Sequence, residues 1–150
     1  MDQVHRVVSI DQVIGSSTVT TVNWVGQRTP MHATSAGKVF LAFGAAQLPP
    51  GKLTRMTAHT MVSRATLDRQ LDAVRREGFA TTIDELEVGL SALAAPVRGP
   101  TGEVIAALSI SGPTLRLGRA RMAELVPVLL HEADALSERL GATNQGDRAA

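Results

Sequence analysis

Cysteine and tyrosine are absent from this 150-residue chain, and Trp24 is its one tryptophan. Without cysteine there is no disulfide frame, no thiolate nucleophile and no thiolate metal ligand, a usage that fits a reducing cytoplasm. Aromatic residues make up 3% of the sequence, too few for a platform on which nucleic-acid bases would stack. No apolar run approaches the roughly 20 residues that a membrane-spanning helix needs, and the N-terminus carries no export signal. Charge of one sign is lacking as well. The 15 basic and 14 acidic residues leave a net charge of +1, and the basic ones are scattered, so this chain is poorly equipped to grip nucleic acid by itself.

What is present is an ordinary single-domain composition, 44% apolar and 19% charged, in a chain long enough to bury a core. Residues 4–14 are rich in β-branched side chains and end at Gly15-Ser16-Ser17, so a strand followed by a turn is expected. Residues 18–24 alternate hydroxyl and apolar side chains and read as a second strand. Pro30 disfavours helix through Thr29. Beyond it, Thr34 is placed to cap a helix from Ser35 to about Gly44 that buries Ala36, Val39, Phe40 and Phe43. Residues 47–64, with Pro49-Pro50-Gly51, read as a loop holding at most a short helical turn.

The next helix is strongly written. Leu67, Leu71 and Val74 share a face, Arg75-Arg76 lie in the last turn, and Gly78 supplies the left-handed stop. A strand over residues 79–83 leads to the acidic bend Asp84-Glu85-Leu86-Glu87. Two apolar strands, residues 89–97 and 103–111, flank the Gly/Pro-bearing link Arg98-Gly99-Pro100-Thr101-Gly102, a hairpin pattern. On the second of them Val104, Ala106, Leu108 and Ile110 form the expected core stripe. Ile105, Ala107, Ser109 and Ser111 form the other face. A last helix is expected over residues 119–140, with Met122, Leu125, Val126, Leu129, Ala133, Leu136 and Leu140 on its apolar stripe. Pro127 inside it removes the donor to the Ala123 carbonyl and predicts a kink or break. Hairpins with intervening helices, lacking βαβ alternation, predict an α+β fold around a mainly antiparallel central sheet flanked by helices. Residues 1–141 are the expected domain, and residues 142–150, small and polar, the expected disordered tail.

Chemistry enters at two places. The stretch Thr34-Ser35-Ala36-Gly37-Lys38 lacks the upstream Gly and following Ser/Thr of a phosphate loop, since those positions hold His32 and Val39. It remains a helix start whose Ser35 and Ala36 amides can face an anion, with Lys38 read as an ordinary helix residue. Ser109 and Ser111, two apart on a strand, point to one side about 7 Å from each other. They belong either to a plain exposed sheet face or to the lining of a concave pocket.

Catalytic patterns fail. Gly89-Leu90-Ser91-Ala92-Leu93 lacks the second Gly of a nucleophile elbow. His131-Glu132 has no second histidine at zinc-helix spacing, and His5, His32, His59 and His131 lie far apart. Asp84, Glu85 and Glu87 read first as a solvated bend. No metal and no cofactor is implied. A small hydrolase or lyase using His32 with Asp84 and Glu85, and a ligand-free dimerisation module, stand as the alternatives to a ligand-binding domain.

The order of motifs resembles a known family. The segment from Trp24-Val25-Gly26-Gln27-Arg28-Thr29-Pro30 through Met31-His32-Ala33-Thr34-Ser35-Ala36-Gly37-Lys38 is similar to the hallmark of IclR-type bacterial transcriptional regulators. Arg75-Arg76-Glu77-Gly78-Phe79, Glu87-Val88-Gly89, Leu93-Ala94-Ala95-Pro96-Val97, Ala106-Ala107-Leu108-Ser109-Ile110-Ser111-Gly112-Pro113 and Leu136-Ser137-Glu138-Arg139-Leu140-Gly141 complete the set. The resemblance implies the family's C-terminal effector-binding domain, with a GAF/profilin-like fold and a small organic acid or aromatic metabolite as ligand. Carried over by motif position, the contacts are Ser35, Ala36, Thr82, Leu90, Ala92, Ser109 and Ser111. Thr82 stands where some members have Asp, and Ser35 where some have Gly. The resemblance further implies a homodimer or tetramer acting on DNA through a winged helix-turn-helix. No such segment is recognised ahead of Met1, so an N-terminally shortened domain is expected.

Overall fold

The computed structural model describes residues 6–16 and 23–143. Its centre is a three-stranded antiparallel sheet in the order β3 (Ala80–Ile83), β4 (Leu90–Arg98), β5 (Val104–Pro113). The β4–β5 pair is the hairpin expected from the Gly/Pro link. Gly99 donates to the Glu103 carbonyl at 2.9 Å, and Gly102 takes a left-handed φ of 85°. A smaller antiparallel sheet pairs β1 (Arg6–Val8) with β2 (Arg28–Pro30).

Three helices close the two faces of the central sheet. On one face α1 (Ser35–Ala42) and α2 (Arg64–Glu77) bring Val39, Leu67, Leu71 and Val74 against Ala80 and Ala94. On the other α3 (Arg119–Arg139) brings Met122, Leu129 and Ala133 against Leu93, Ala95 and Val97. The alternation along β4 therefore feeds two cores, which is why residues 93–95 form a continuous buried run. The fold is α+β with antiparallel sheets and flanking helices, as the sequence predicts.

The helix ends follow their local chemistry. The Thr34 hydroxyl accepts from the Gly37 amide at 3.2 Å and donates to the Pro30 carbonyl at 3.0 Å, capping α1. Ser63 caps α2, which stops at Gly78 with φ 83°. Arg75 of α2 donates to the Ala42 carbonyl at 2.5 Å, tying the end of α1 to its neighbour. Ser137 of α3 accepts from the Arg98 amide at 2.9 Å and donates to the Ala133 carbonyl at 2.7 Å, fixing the last helix to β4.

Several expectations need correction. The first strand ends at Val8 and is followed by a bridge between Ser9 and Val25; among the described residues, residues 10–15 have no strand partner. Val4 and His5 lie outside the described residues, as do residues 18–22 of the expected second strand; Asn23 and Trp24 are not in a strand. α1 ends at Ala42 and buries Val39 fully, leaving Ala36, Phe40 and Phe43 half-buried. Val104 faces the α1–α2 core rather than sharing the stripe of Ala106, because a register shift between Val97 and Arg98 inverts the alternation there. Residues 47–63 are the expected loop, without a helical turn, and Arg64 already belongs to α2. α3 is continuous through Pro127, so of the expected kink or break there is no break, and its last stripe position, Leu140, is exposed. Residues 144–150 of the expected tail lie outside the described residues.

Candidate functional site

Pairing across the sheet places the sheet members of the expected site together. Ala92 pairs with Thr82 on one side and with Ser111 on the other, and directly paired residues share a face. Ala94 likewise joins Ala80 to Ser109 in the next row, and Leu90 pairs with Pro113 in the row beyond. Thr82, Leu90, Ala92, Ser109 and Ser111 therefore occupy a single face of the sheet. That face is the one covered by α1, since Ala80 and Ala94 within it belong to the α1–α2 core.

The helix start is set by a close approach. A side-chain carbon on Gly37 would lie 2.2 Å from the Met31 carbonyl oxygen and 2.3 Å from its α-carbon. Only glycine lets the first turn of α1 rest on the backbone of the 3-10 turn Met31–Ala33. The Thr34 cap takes the Gly37 amide and leaves those of Ser35 and Ala36 as the donors at the helix start. Ser35 and Thr82 are buried, Ala36, Leu90 and Ala92 half-buried, and Ser109 and Ser111 exposed on the outer strand β5. The arrangement is a covered wall with neutral donors and an open hydroxyl-bearing side. A cavity of about 360 Å³ lies along the β3 edge beside α2, lined by residues including Lys38, Glu85, Gln70, Glu77 and Thr81. None of the seven expected contact residues lines it.

Lys38 and Glu85 overturn two readings made from the sequence. Lys38 is 2% exposed, and its ammonium group donates to both Glu85 carboxylate oxygens, at 2.7 and 2.8 Å, and to Gln70 Oε1 at 3.0 Å. Glu85 is itself buried, so the acidic bend is not simply solvated. Burial pulls the Lys38 pKa down, and attraction to Glu85 restores only part of the loss. The bend's backbone is held too. Thr57 donates to the Asp84 carbonyl at 2.6 Å and Thr60 to the Glu85 carbonyl at 2.7 Å. Helical spacing alone could have flagged Lys38, which lies one turn beyond Ser35 toward the packed side of α1. Its partner in the bend, distant in sequence, carries no such signal.

The groups of the hydrolase reading are held by separate partners. His32 Nε2 lies 2.8 Å from the Thr54 carbonyl, and Glu85 is taken by Lys38. Asp84, with a left-handed φ of 56°, accepts from Thr114 Oγ1 at 2.6 Å and from the Gly89 amide at 2.9 Å. Thr114 first, and Gly89 second, hold the Asp84 carboxyl below its usual pKa. Ser91 is fully buried on the α3 face with its hydroxyl 2.9 Å from that of Thr114. Among the described residues no group of three His, Asp or Glu side chains could hold a metal ion. Nor is any helix among them long and apolar enough to cross a membrane.

Residues 1–138 match the family model described as bacterial transcriptional regulator IclR, C-terminal. Over 122 residues the chain is 38% identical to the transcriptional regulator KdgR of Dickeya chrysanthemi, covering 78% of this chain and 40% of that protein. The crystal structure of Thermotoga maritima IclR matches with a TM-score of 0.81 at 27% identity, covering 93% of this chain and 59% of that one. A double mutant of the Acinetobacter PobR inducer-binding domain, in complex with 3-hydroxybenzoic acid, matches with a TM-score of 0.77 at 30% identity. That match covers 90% of this chain and 83% of the PobR domain. The chain spans 40% to 55% of the length of the first curated relatives it matches, all named as regulators of transcription rather than as enzymes. This chain belongs to the IclR family of bacterial transcriptional regulators and corresponds to their C-terminal domain.

Proposed function

We propose that this domain binds a small organic acid, a simple carboxylate or an aromatic acid, between the start of α1 and the face of the sheet that α1 covers. The observation that carries the reading is the single cross-strand row Thr82–Ala92–Ser111 beneath the helix that presents the Ser35 and Ala36 amides. Amides at a helix start and neutral hydroxyls together recognise an anion without a cationic side chain. Leu90 and Ala92 supply apolar contact for the body of the ligand. The hydroxybenzoate held by the PobR domain is an acid of this kind.

Occupancy would alter how subunits of a homodimer or tetramer pack, and through that the placement of winged helix-turn-helix domains lying outside this chain. The near-neutral charge fits that division, since DNA contact would be made by the other domain and the protein would work in the cytoplasm. A thermal-shift screen against small aliphatic and aromatic carboxylic acids tests the proposal, because a ligand that binds the folded state raises its melting temperature with concentration. At least one acid should do so. Stabilisation by none of them would favour a ligand-free interaction module instead.

A further inference from the structure

The Lys38–Glu85 ion pair joins the two walls of the site just described, and we propose that it is a positioning brace for the effector pocket. This inference rests on that reading of the site. Lys38 lies in the same turn of α1 as Ser35 and Ala36. Glu85 lies in the bend that connects β3 to β4, between Thr82 and Leu90, both on the pocket face. Both carboxylate oxygens of Glu85 accept from the one ammonium group, which fixes direction as well as distance.

The brace is part of a closed set of polar links. The bend carbonyls of Asp84 and Glu85 are held by the hydroxyls of Thr57 and Thr60. The same loop reaches back through the Thr54 carbonyl to His32, in the 3-10 turn on which α1 rests. Helix start, loop and bend thus constrain each other at three points, with Lys38–Glu85 closing the circuit. A buried ion pair is a poor device for stability alone, because desolvating two charges offsets most of their attraction, and an apolar pair of similar volume does as well or better. What an apolar pair cannot supply is a directional link between α1 and the bend. Geometry is therefore the property this pair contributes.

The decisive variant is the apolar replacement Lys38→Met/Glu85→Leu, studied beside the single Glu85→Gln, by amide hydrogen exchange with mass-spectrometric readout. In the double variant the melting temperature should hold, while amides of residues 31–39 and 84–92 exchange about tenfold faster and those of α3 are unchanged. Glu85→Gln should show the same local pattern where it folds. Unchanged exchange at both walls would overturn the proposal. So would a uniform rise that includes α3, since the pair would then be a general support rather than a brace. Calorimetric titration with 3-hydroxybenzoate, benzoate and propionate adds the binding readout. An acid bound by the unaltered chain should bind the double variant about tenfold more weakly, and equal affinity would overturn the brace. If the unaltered chain binds none of the three, it is the effector reading that fails on these probes, and the exchange pattern still decides on the brace.

Discussion

Gly37 of α1 rests against the backbone of Met31 so closely that a methyl group in its place would lie 2.2 Å from the Met31 carbonyl oxygen. The contact is with backbone, on a 3-10 turn whose three residues are all buried, so no flexible side chain can swing aside. Gly37→Ala should therefore cost about 3 kcal/mol or more, at the upper end of overpacking penalties, although alanine is the better helix former by about 1 kcal/mol. Chemical denaturation read by circular dichroism checks this. A change of less than about 1 kcal/mol would mean that α1 can lift off the turn at little cost.

The Ser137 hydroxyl stitches α3 to the sheet by accepting from the Arg98 amide and donating to the Ala133 carbonyl. Ser137 is buried, and Arg98 marks the register shift at the end of β4, so no neighbouring strand replaces the lost partner. Ser137→Ala leaves that amide unpaired and should destabilise the domain by about 1–3 kcal/mol. Ser137→Thr keeps the hydroxyl and should recover part of the loss. Equal stability of the alanine variant and the unaltered chain would show that water reaches the Arg98 amide.

Much of this architecture is legible in the sequence, because its signals are local. The Thr34 cap, the Leu67, Leu71 and Val74 face with its Gly78 stop, and the β4–β5 hairpin each declare themselves within a few residues. The misreadings have causes beyond local pattern. The register shift at Val97–Arg98 depends on how two strands meet and moves Val104 to the opposite core. Lys38 and Glu85 are separated by 47 positions, and nothing near either one predicts the other. Pro127 does not break α3, because losing one hydrogen bond does not undo the packing of Met122, Leu129 and Ala133 against the sheet. The seven candidate contacts follow from motif position in the family resemblance, and the strand pairings put five of them on one face.

Asp84 gives the domain an acid-sensitive bend. Its pKa is held down by Thr114 and then by Gly89, so the folded state favours the carboxylate more than the unfolded chain does. A depressed carboxylate pKa contributes stability that is present above the unfolded value, near ~3.9, and is lost as pH falls through the lower folded value. Asp84→Asn should therefore flatten the acid limb of the stability profile while leaving its slope at neutral pH unchanged. Glu103 is shifted in the same direction by Thr101, so the flattening should be partial. Urea titrations at a series of acidic pH values measure it. An acid limb as steep as that of the unaltered chain would remove Asp84 from the account.

Ser109 and Ser111 offer the sharpest separation of binding from folding. Both are exposed on β5, and their side chains have no part in either hydrophobic core. Replacing both by alanine should leave stability within about 0.5 kcal/mol of the original, as for surface positions generally. If their hydroxyls complete the anion site, the same double variant should lose about tenfold or more in affinity for whichever acid raises the melting temperature, since each hydrogen bond to a charged group contributes about 1.5–3 kcal/mol. Isothermal titration of the two proteins with that acid gives the comparison directly. Unchanged affinity would place the ligand nearer Thr82 and the α1 start, with β5 only its backdrop.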